Sequence, residues 1–227
     1  MLYLVATPIG NLEDITLRAL KVLEEVDFIL CEDTRKTSLL LKRFGLRKKL
    51  FSFYEHNEIK RIPWMIEELK KERKIALVSN AGTPTISDPG YKLVRECKKY
   101  NLPITSLPGA SSVLCALSLS AIPHDKFIFL GYLPRKKGER KKVLEKAKPY
   151  QINLVFFETP HRLLDSLKDL KEVFGKQRIT ICRELTKKFE EIIETDLEEA
   201  IKYFEKNKAR GEFTLILENQ QSPNETI

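Results

Sequence analysis

Short β-rich runs alternate with amphipathic helical segments along almost the whole chain, and that alternation limits the fold more than any other feature. In the first half the strand-like runs are residues 2–6, 28–31, 50–54, 75–79 and 104–107. Between them, residues 15–26 place Ile15, Ala19, Val22 and Val26 at steps of four, three and four, the spacing of one helix face. Residues 37–44, 62–72 and 110–120 read as further helices. Strands separated by helices predict a mostly parallel sheet covered on both faces. After residue 120 the pattern starts again, with strands at 127–130, 153–158, 179–183, 191–194 and 212–218 and helices at 139–148, 162–174 and 197–207. Ile122-Pro123-His124-Asp125 breaks the rhythm, because proline stops the helix before it. The expected architecture is two α/β/α domains, residues 1–120 and 121–227, with a polar tail at 219–227 that frays.

An apolar fraction of 42% over 227 residues sustains buried cores and excludes wholesale disorder. Lys+Arg number 40 against 32 Asp+Glu, a net charge of +8, which favours an anionic partner. The excess is clustered. Residues 135–148 hold eight basic and two acidic side chains, and Lys42, Arg43, Arg47, Lys48 and Lys49 form a second cluster with no acid among them. Each run alone is an ordinary solvated helix end; together they point to a polyanion, most simply nucleic acid. Cys31, Cys97, Cys115 and Cys182 form no CxxC pair and are accompanied by three histidines, so free thiols are expected rather than zinc or disulfides. The N-terminal run 1–6 has no basic flank and meets Pro8 and Gly10 at once, as a strand does and a signal peptide does not. With no stretch of about 18 apolar residues, the expectation is a soluble protein of the reducing cytoplasm.

Glycine is scarce, at nine residues, so its placement is informative. Gly10, Gly82 and Gly109 sit in Thr7-Pro8-Ile9-Gly10-Asn11, in residues 80–90 and in Pro108-Gly109-Ala110-Ser111-Ser112, the loops after the first, fourth and fifth strands. In a parallel sheet these loops share the carboxyl edge, where ligands bind. The result is a stiff pocket offering hydroxyls and main-chain groups. Dinucleotide GxGxxG, Walker, HExxH and GxSxG patterns are all absent. Glu32-Asp33-Thr34-Arg35 and Tyr54-Glu55-His56-Asn57-Glu58 follow the second and third strands, so they project polar groups to the same edge.

Residues 7–16 (TPIGNLEDIT), Glu32-Asp33-Thr34-Arg35, Ala81-Gly82-Thr83-Pro84, Ser87-Asp88-Pro89-Gly90-Tyr91, Gly131-Tyr132-Leu133-Pro134-Arg135, residues 157–162 (FETPHR) and Arg183-Glu184-Leu185-Thr186-Lys187 occur in order at fitting distances. This ordered set resembles the bacterial small-subunit ribosomal RNA (cytidine-2′-O)-methyltransferase family known as RsmI, of the tetrapyrrole methylase superfamily. The resemblance implies two α/β domains with S-adenosylmethionine in the cleft between them, a homodimer, and 2′-O-methylation of a cytidine in the decoding region of 16S RNA. It implies a cofactor site of Pro8, Gly82, Thr83, Pro84, Ile86, Ser111, Ser112, Phe157 and Leu185. Asn80 and Ala110 depart from the family's usual Asp and Pro, and many members continue some tens of residues further.

An activated sulfonium methyl needs a positioned nucleophile and, for a ribose hydroxyl, a general base. Glu32, Asp33 and His56 are the candidates for the base, with Arg35 orienting the phosphate backbone. Arg135, Lys136, Lys137, Arg140, Lys141 and Lys142 are the candidate RNA contacts. A tetrapyrrole C-methyltransferase of the same fold explains the pocket but not the basic clusters. A non-catalytic RNA-binding protein explains the clusters but leaves the pocket unused.

Overall fold

A computed structural model describes residues 1–219, which divide into two compact units, Met1–Ser111 and a second from Ser112 onward. In the first unit β1 (Leu2–Val5), β2 (Phe28–Cys31), β3 (Lys49–Ser52), β4 (Ile75–Val78) and β5 (Ile104–Leu107) form a sheet of order β3-β2-β4-β1-β5, parallel throughout. Every residue of β2 and β4 is buried, as uninterrupted apolar runs in a two-sided sheet require. Successive side chains serve opposite faces. Ile29, Cys31, Ala76 and Val78 pack with α1 (Leu17–Glu25) and α2 (Thr34–Arg43). Phe28, Leu30, Ile75 and Leu77 pack with α3 (Glu58–Lys70) and α4 (Tyr91–Lys99).

Residues 91–99 were not expected to be helical, because only Leu93 and Cys97 of that run are buried and the rest is largely charged. Helix α3 also begins a turn earlier than expected, at Glu58, and accommodates Pro63 inside it.

The second unit contains α5 (Ser112–Leu119), β6 (Phe127–Tyr132), α6 (Lys137–Ala147), β7 (Asn153–Glu158), α7 (Leu163–Phe174), β8 (Arg178–Arg183), β9 (Glu191–Asp196), α8 (Leu197–Lys206) and β10 (Phe213–Leu217). Its sheet runs β6-β7-β10-β8-β9. Only β6 and β7 pair in parallel; β10 lies antiparallel between β7 and β8, and β8 and β9 form a hairpin. This corrects the expectation that the parallel pattern simply repeats. No helix separates β8 from β9, so they can only return on themselves. Helix α5 groups with this unit and packs at β10.

The tail expected to fray at 219–227 lies outside the described residues except for Asn219, which is buried. Its backbone N–H donates to Asn153 Oδ1 at 3.0 Å, and its amide donates to the Lys148 and Ile152 carbonyls. Cys31, Cys97 and Cys182 are buried free thiols and Cys115 is half-buried. Among the described residues no helix is long and apolar enough to cross a membrane.

Arg140 requires a correction of role. Expected on an RNA-facing surface, it is 4% exposed; its Nε donates to Asp169 Oδ2 at 2.7 Å, and a second guanidinium nitrogen donates to the Pro134 and Arg135 carbonyls. Asp169 is itself 2% exposed. Removing one member of a buried pair leaves the other charge uncompensated. Asp169→Ala is therefore expected to cost about 3–5 kcal/mol, read as a lowered urea midpoint, whereas Lys142→Ala on the exposed side of α6 leaves the midpoint in place.

Candidate functional site

Strands β1 and β4 are neighbours, yet the chain leaves β1 for α1 on one face of the sheet and leaves β4 for α4 on the other. Two adjacent strands whose connections part in this way open a crevice at their carboxyl ends. The loops bounding it are tied together. Thr7 N–H donates to the Gly82 carbonyl and Gly82 N–H to the Thr7 carbonyl, both at 2.9 Å. The buried Ser79 hydroxyl donates to the Gly82 carbonyl at 2.9 Å, and the Thr7 hydroxyl to the Ser79 carbonyl at 3.2 Å. Thr83 Oγ1 reaches the Ala110 carbonyl at 3.5 Å, which adds the loop after β5. That loop comes so close that a Cβ on Gly109 would stand 2.7 Å from Ala6 Cβ, so only glycine fits there.

The 80–90 loop is strained. Thr85 and Ser87 have φ of 73° and 61°, a region that costs a non-glycine residue about 1–3 kcal/mol. Buried Glu58 holds the end of this loop: one carboxylate oxygen accepts from Gly90 N–H at 3.4 Å and the other from Lys92 Nζ at 2.6 Å. Within the loop Pro84 is buried and Ile86 is exposed. The structure thus gathers Pro8, Gly82, Thr83, Pro84, Ile86 and Ser111 on loops of one sheet edge in the first unit.

The acidic candidates separate into different roles. Glu32 follows β2, and its Oε2 accepts from Asn80 Nδ2 at 2.7 Å. That bond leaves Asn80 Oδ1 buried with no hydrogen-bond partner. Asp88 joins them electrostatically: its own burial, then the Glu32 charge, push its carboxyl up to about 7. Asp33 instead caps α2, accepting from Arg35 N–H at 2.9 Å and from the Arg35 guanidinium at 2.9 and 3.1 Å. Those bonds hold its carboxyl at about 2, which makes it a poor proton acceptor. The Arg35 side chain is 88% exposed. His56 follows the edge strand β3, with Tyr54 edge-on to its ring at 6.2 Å. Neither Asn80 nor Asp88 is among the site residues expected from the sequence, although Asn80 stands out there as a departure from the family's usual Asp and Asp88 belongs to the Ser87-Asp88-Pro89-Gly90-Tyr91 motif.

The remaining candidates belong to the second unit. Ser112 opens α5. Phe157 on β7 packs against Phe129 and Tyr132 at centroid distances of 5.1 and 5.4 Å. Leu185 is buried in the β8–β9 turn between Glu184 and Thr186, both with positive φ. On α6 and the loop before it, Arg135, Lys136, Lys137 and Lys142 are exposed, whereas half-buried Lys141 bonds Glu172 at 2.6 Å.

A family profile described as Tetrapyrrole (Corrin/Porphyrin) Methylases matches residues 1–201. The chain is 48% identical over 217 residues to Ribosomal RNA small subunit methyltransferase I of Halalkalibacterium halodurans, covering 96% of this chain and 75% of that one. It is 47% identical over 220 residues to the protein of the same name in Thermotoga maritima, covering 97% and 99%. Among solved structures, a diphthine synthase superposes with a TM-score of 0.74 at 14% identity, covering 95% of this chain and 89% of that one. The uroporphyrin III C-methyl transferase of Thermus thermophilus gives 0.67 at 18%, covering 95% and 96%. At such identities these two structures speak for the fold.

The raised Asp88 carboxyl has a consequence for stability. The native state keeps its proton up to about pH 7, while the unfolded chain releases it near 4. Between those values the native state binds more protons, so wild-type stability falls as pH rises and levels off above 7. Asp88→Asn removes this dependence. Its stability relative to wild type is expected to climb between pH 4 and 7, measured by thermal melting across that range, and a pH-independent difference would disprove the assignment.

Proposed function

The chain belongs to the tetrapyrrole methylase family and, within it, to the ribosomal RNA small subunit methyltransferase I group, and from that membership we propose that it methylates the ribose 2′-hydroxyl of a cytidine in the decoding region of 16S RNA, using S-adenosylmethionine. The protein acts in this reading as a cytoplasmic homodimer on small-subunit RNA. The observation that supports it best is the Glu32 carboxylate, which accepts from Asn80 Nδ2 where the loops after β2 and β4 meet and leaves Asn80 Oδ1 as a buried acceptor still without a donor.

The first unit's residues fit the methyl donor. A buried acceptor without a partner costs about 1–3 kcal/mol, and the ammonium and ribose hydroxyls of S-adenosylmethionine are donors able to satisfy Asn80 Oδ1. Gly82, at φ +80°, brings backbone to the crevice with no side chain in the way. Gly82, Thr83, Pro84 and Ile86, with Pro8 and Ser111, would hold the donor, which when bound supplies an already electrophilic methyl group. These loops are fixed to one another before anything binds, so little ordering is left to do on binding. Orientation of this kind contributes up to about 7–11 kcal/mol to lowering a barrier.

Glu32 is the residue that would accept the proton of the ribose 2′-hydroxyl. A general base typically contributes about 10²–10⁴-fold. Asp33 serves by capping α2, which fixes the start of the helix that follows Glu32. Arg35, exposed beside them, and Arg135, Lys136, Lys137 and Lys142 in the second unit supply positive charge for the RNA backbone.

The test is transfer of a labelled methyl from S-adenosylmethionine to small subunits lacking the modification, followed by mapping of the labelled nucleotide. Wild-type protein is expected to label one ribose. Glu32→Gln should reduce turnover about 10²–10⁴-fold, while Asp33→Asn, which keeps the capping oxygen, retains most of it. Labelling of a base rather than a ribose, or full turnover by Glu32→Gln, overturns this account.

A further inference from the structure

The amino edge of the first unit's parallel sheet carries a cluster of basic and aromatic side chains. There the chain leaves α2 through Lys42 and Arg43, passes Arg47, and enters the edge strand β3 at Lys49, all four exposed. Lys48 is turned inward, its Nζ donating to the Val26 carbonyl at 2.9 Å. Lys49 and Phe51 point to the same face of β3, and the Lys49 ammonium stands 5.0 Å from the Phe51 ring centroid. Against Phe51 lies Trp64 of α3, edge-on at 4.8 Å; Trp64 also stacks on Phe28 at 5.5 Å with an interplanar angle of 13°. Trp64 is the only tryptophan in the chain and remains 37% exposed although three aromatic rings meet there.

Lys42 and Arg43 end α2 on one face of the sheet and Trp64 lies with α3 on the other, so cations and ring flank the edge strand β3 from its two sides. Single-stranded RNA binds such a combination when the charges follow its phosphates around the edge and the ring accepts an unstacked base. We propose that Lys42, Arg43, Arg47 and Lys49, with the face of Trp64, form a docking surface for a single-stranded segment of the RNA substrate. The inference rests on the RNA reading above and extends it to a place that reading does not use. In a parallel sheet the amino ends of the strands lie opposite the carboxyl ends. The surface is therefore separated from the Glu32–Asn80 crevice by the length of four-residue strands, or about 13 Å. It grips a segment other than the methylated nucleotide. Its contribution is to affinity for the long substrate and not to the chemical step.

The single tryptophan makes the test direct, because all indole emission reports residue 64. The full-length protein is titrated with a fluorescein-labelled single-stranded RNA of about 16 nucleotides, the upper end of such sites, and both anisotropy and tryptophan emission are read over a range of salt. Saturable quenching of Trp64 that parallels the anisotropy is expected. The fourfold variant Lys42→Gln, Arg43→Gln, Arg47→Gln, Lys49→Gln should bind at least about tenfold more weakly, with a salt slope shallower by about 3, from four cations at about 0.7 each. With small subunits as substrate its KM rises while kcat and the melting temperature stay at wild-type values. Should RNA bind with Trp64 emission unmoved, or should the variant keep the wild-type salt slope, the surface is not an RNA site and the activity assignment is untouched. If neither anisotropy nor methyl transfer detects an RNA substrate, the functional reading itself falls and takes this surface with it.

Discussion

Two reciprocal backbone hydrogen bonds between Thr7 and Gly82 hold the first unit's crevice in one shape, and the neighbouring loops are built around them. Strands β1 and β4 send the chain to opposite faces of the sheet, so without a cross-link their loops would be free to splay. The link has its own requirements. Gly82 must take φ +80°, Ser79 must turn its hydroxyl to the Gly82 carbonyl, and Gly109 must have no side chain where it meets Ala6. Strain at Thr85 and Ser87 persists because both ends of that loop are anchored, by this pairing at one end and by Glu58 at the other. A loop ordered in this way meets a ligand with its backbone already in position.

The strand–helix alternation was legible because core strands with both faces buried leave uninterrupted apolar runs. β2 and β7 fall where their apolar runs put them, and the partly buried edge strand β5 also lies where expected. What was not legible follows from local signals being weak or identical for competing structures. Helix α4 buries only two residues, too few to register as a stripe against its charges. The pairing direction in the second sheet leaves no mark on any one strand: Phe213–Leu217 is wholly buried and would read the same in a parallel position. Its antiparallel place is decided by the connection from α8 and by the gap between β7 and β8.

For the site, glycine and proline placement disclosed the loops, since those residues encode backbone conformation directly. Side-chain roles were less readable, because hydrogen-bond partners far apart in sequence decide them. Glu32 and Asp33 are adjacent, yet Glu32 meets Asn80, 48 positions away, while Asp33 turns to Arg35 two positions on and becomes a cap. The same aspartate pattern could have served either purpose. Only the fold, by bringing the β2 and β4 loops side by side, assigns them.

Charge counting meets the same limit in the run from Arg135 to Lys148. Arg140 is consumed by Asp169 and two carbonyls, and Arg162 from the chain's other side reaches the Leu133 and Pro134 carbonyls, so two guanidinium groups fix the loop between β6 and α6 from within. Lys137 and Lys141 pair with Glu172, and Lys148 donates to the Val173 carbonyl at 2.7 Å. Arg140 and Lys148 are thus tied to the protein's own buried pair and carbonyls, while Lys136, Lys137 and Lys141 only share surface carboxylates, and Lys136 and Lys137 stay largely exposed. Arginine's planar fork is suited to gathering carbonyls in a buried place, while lysines around the same helix keep their ammonium groups near water. A basic run in a folded chain therefore contains two populations, one that sets the shape of a surface and one that charges it, and only the second is available to an RNA backbone.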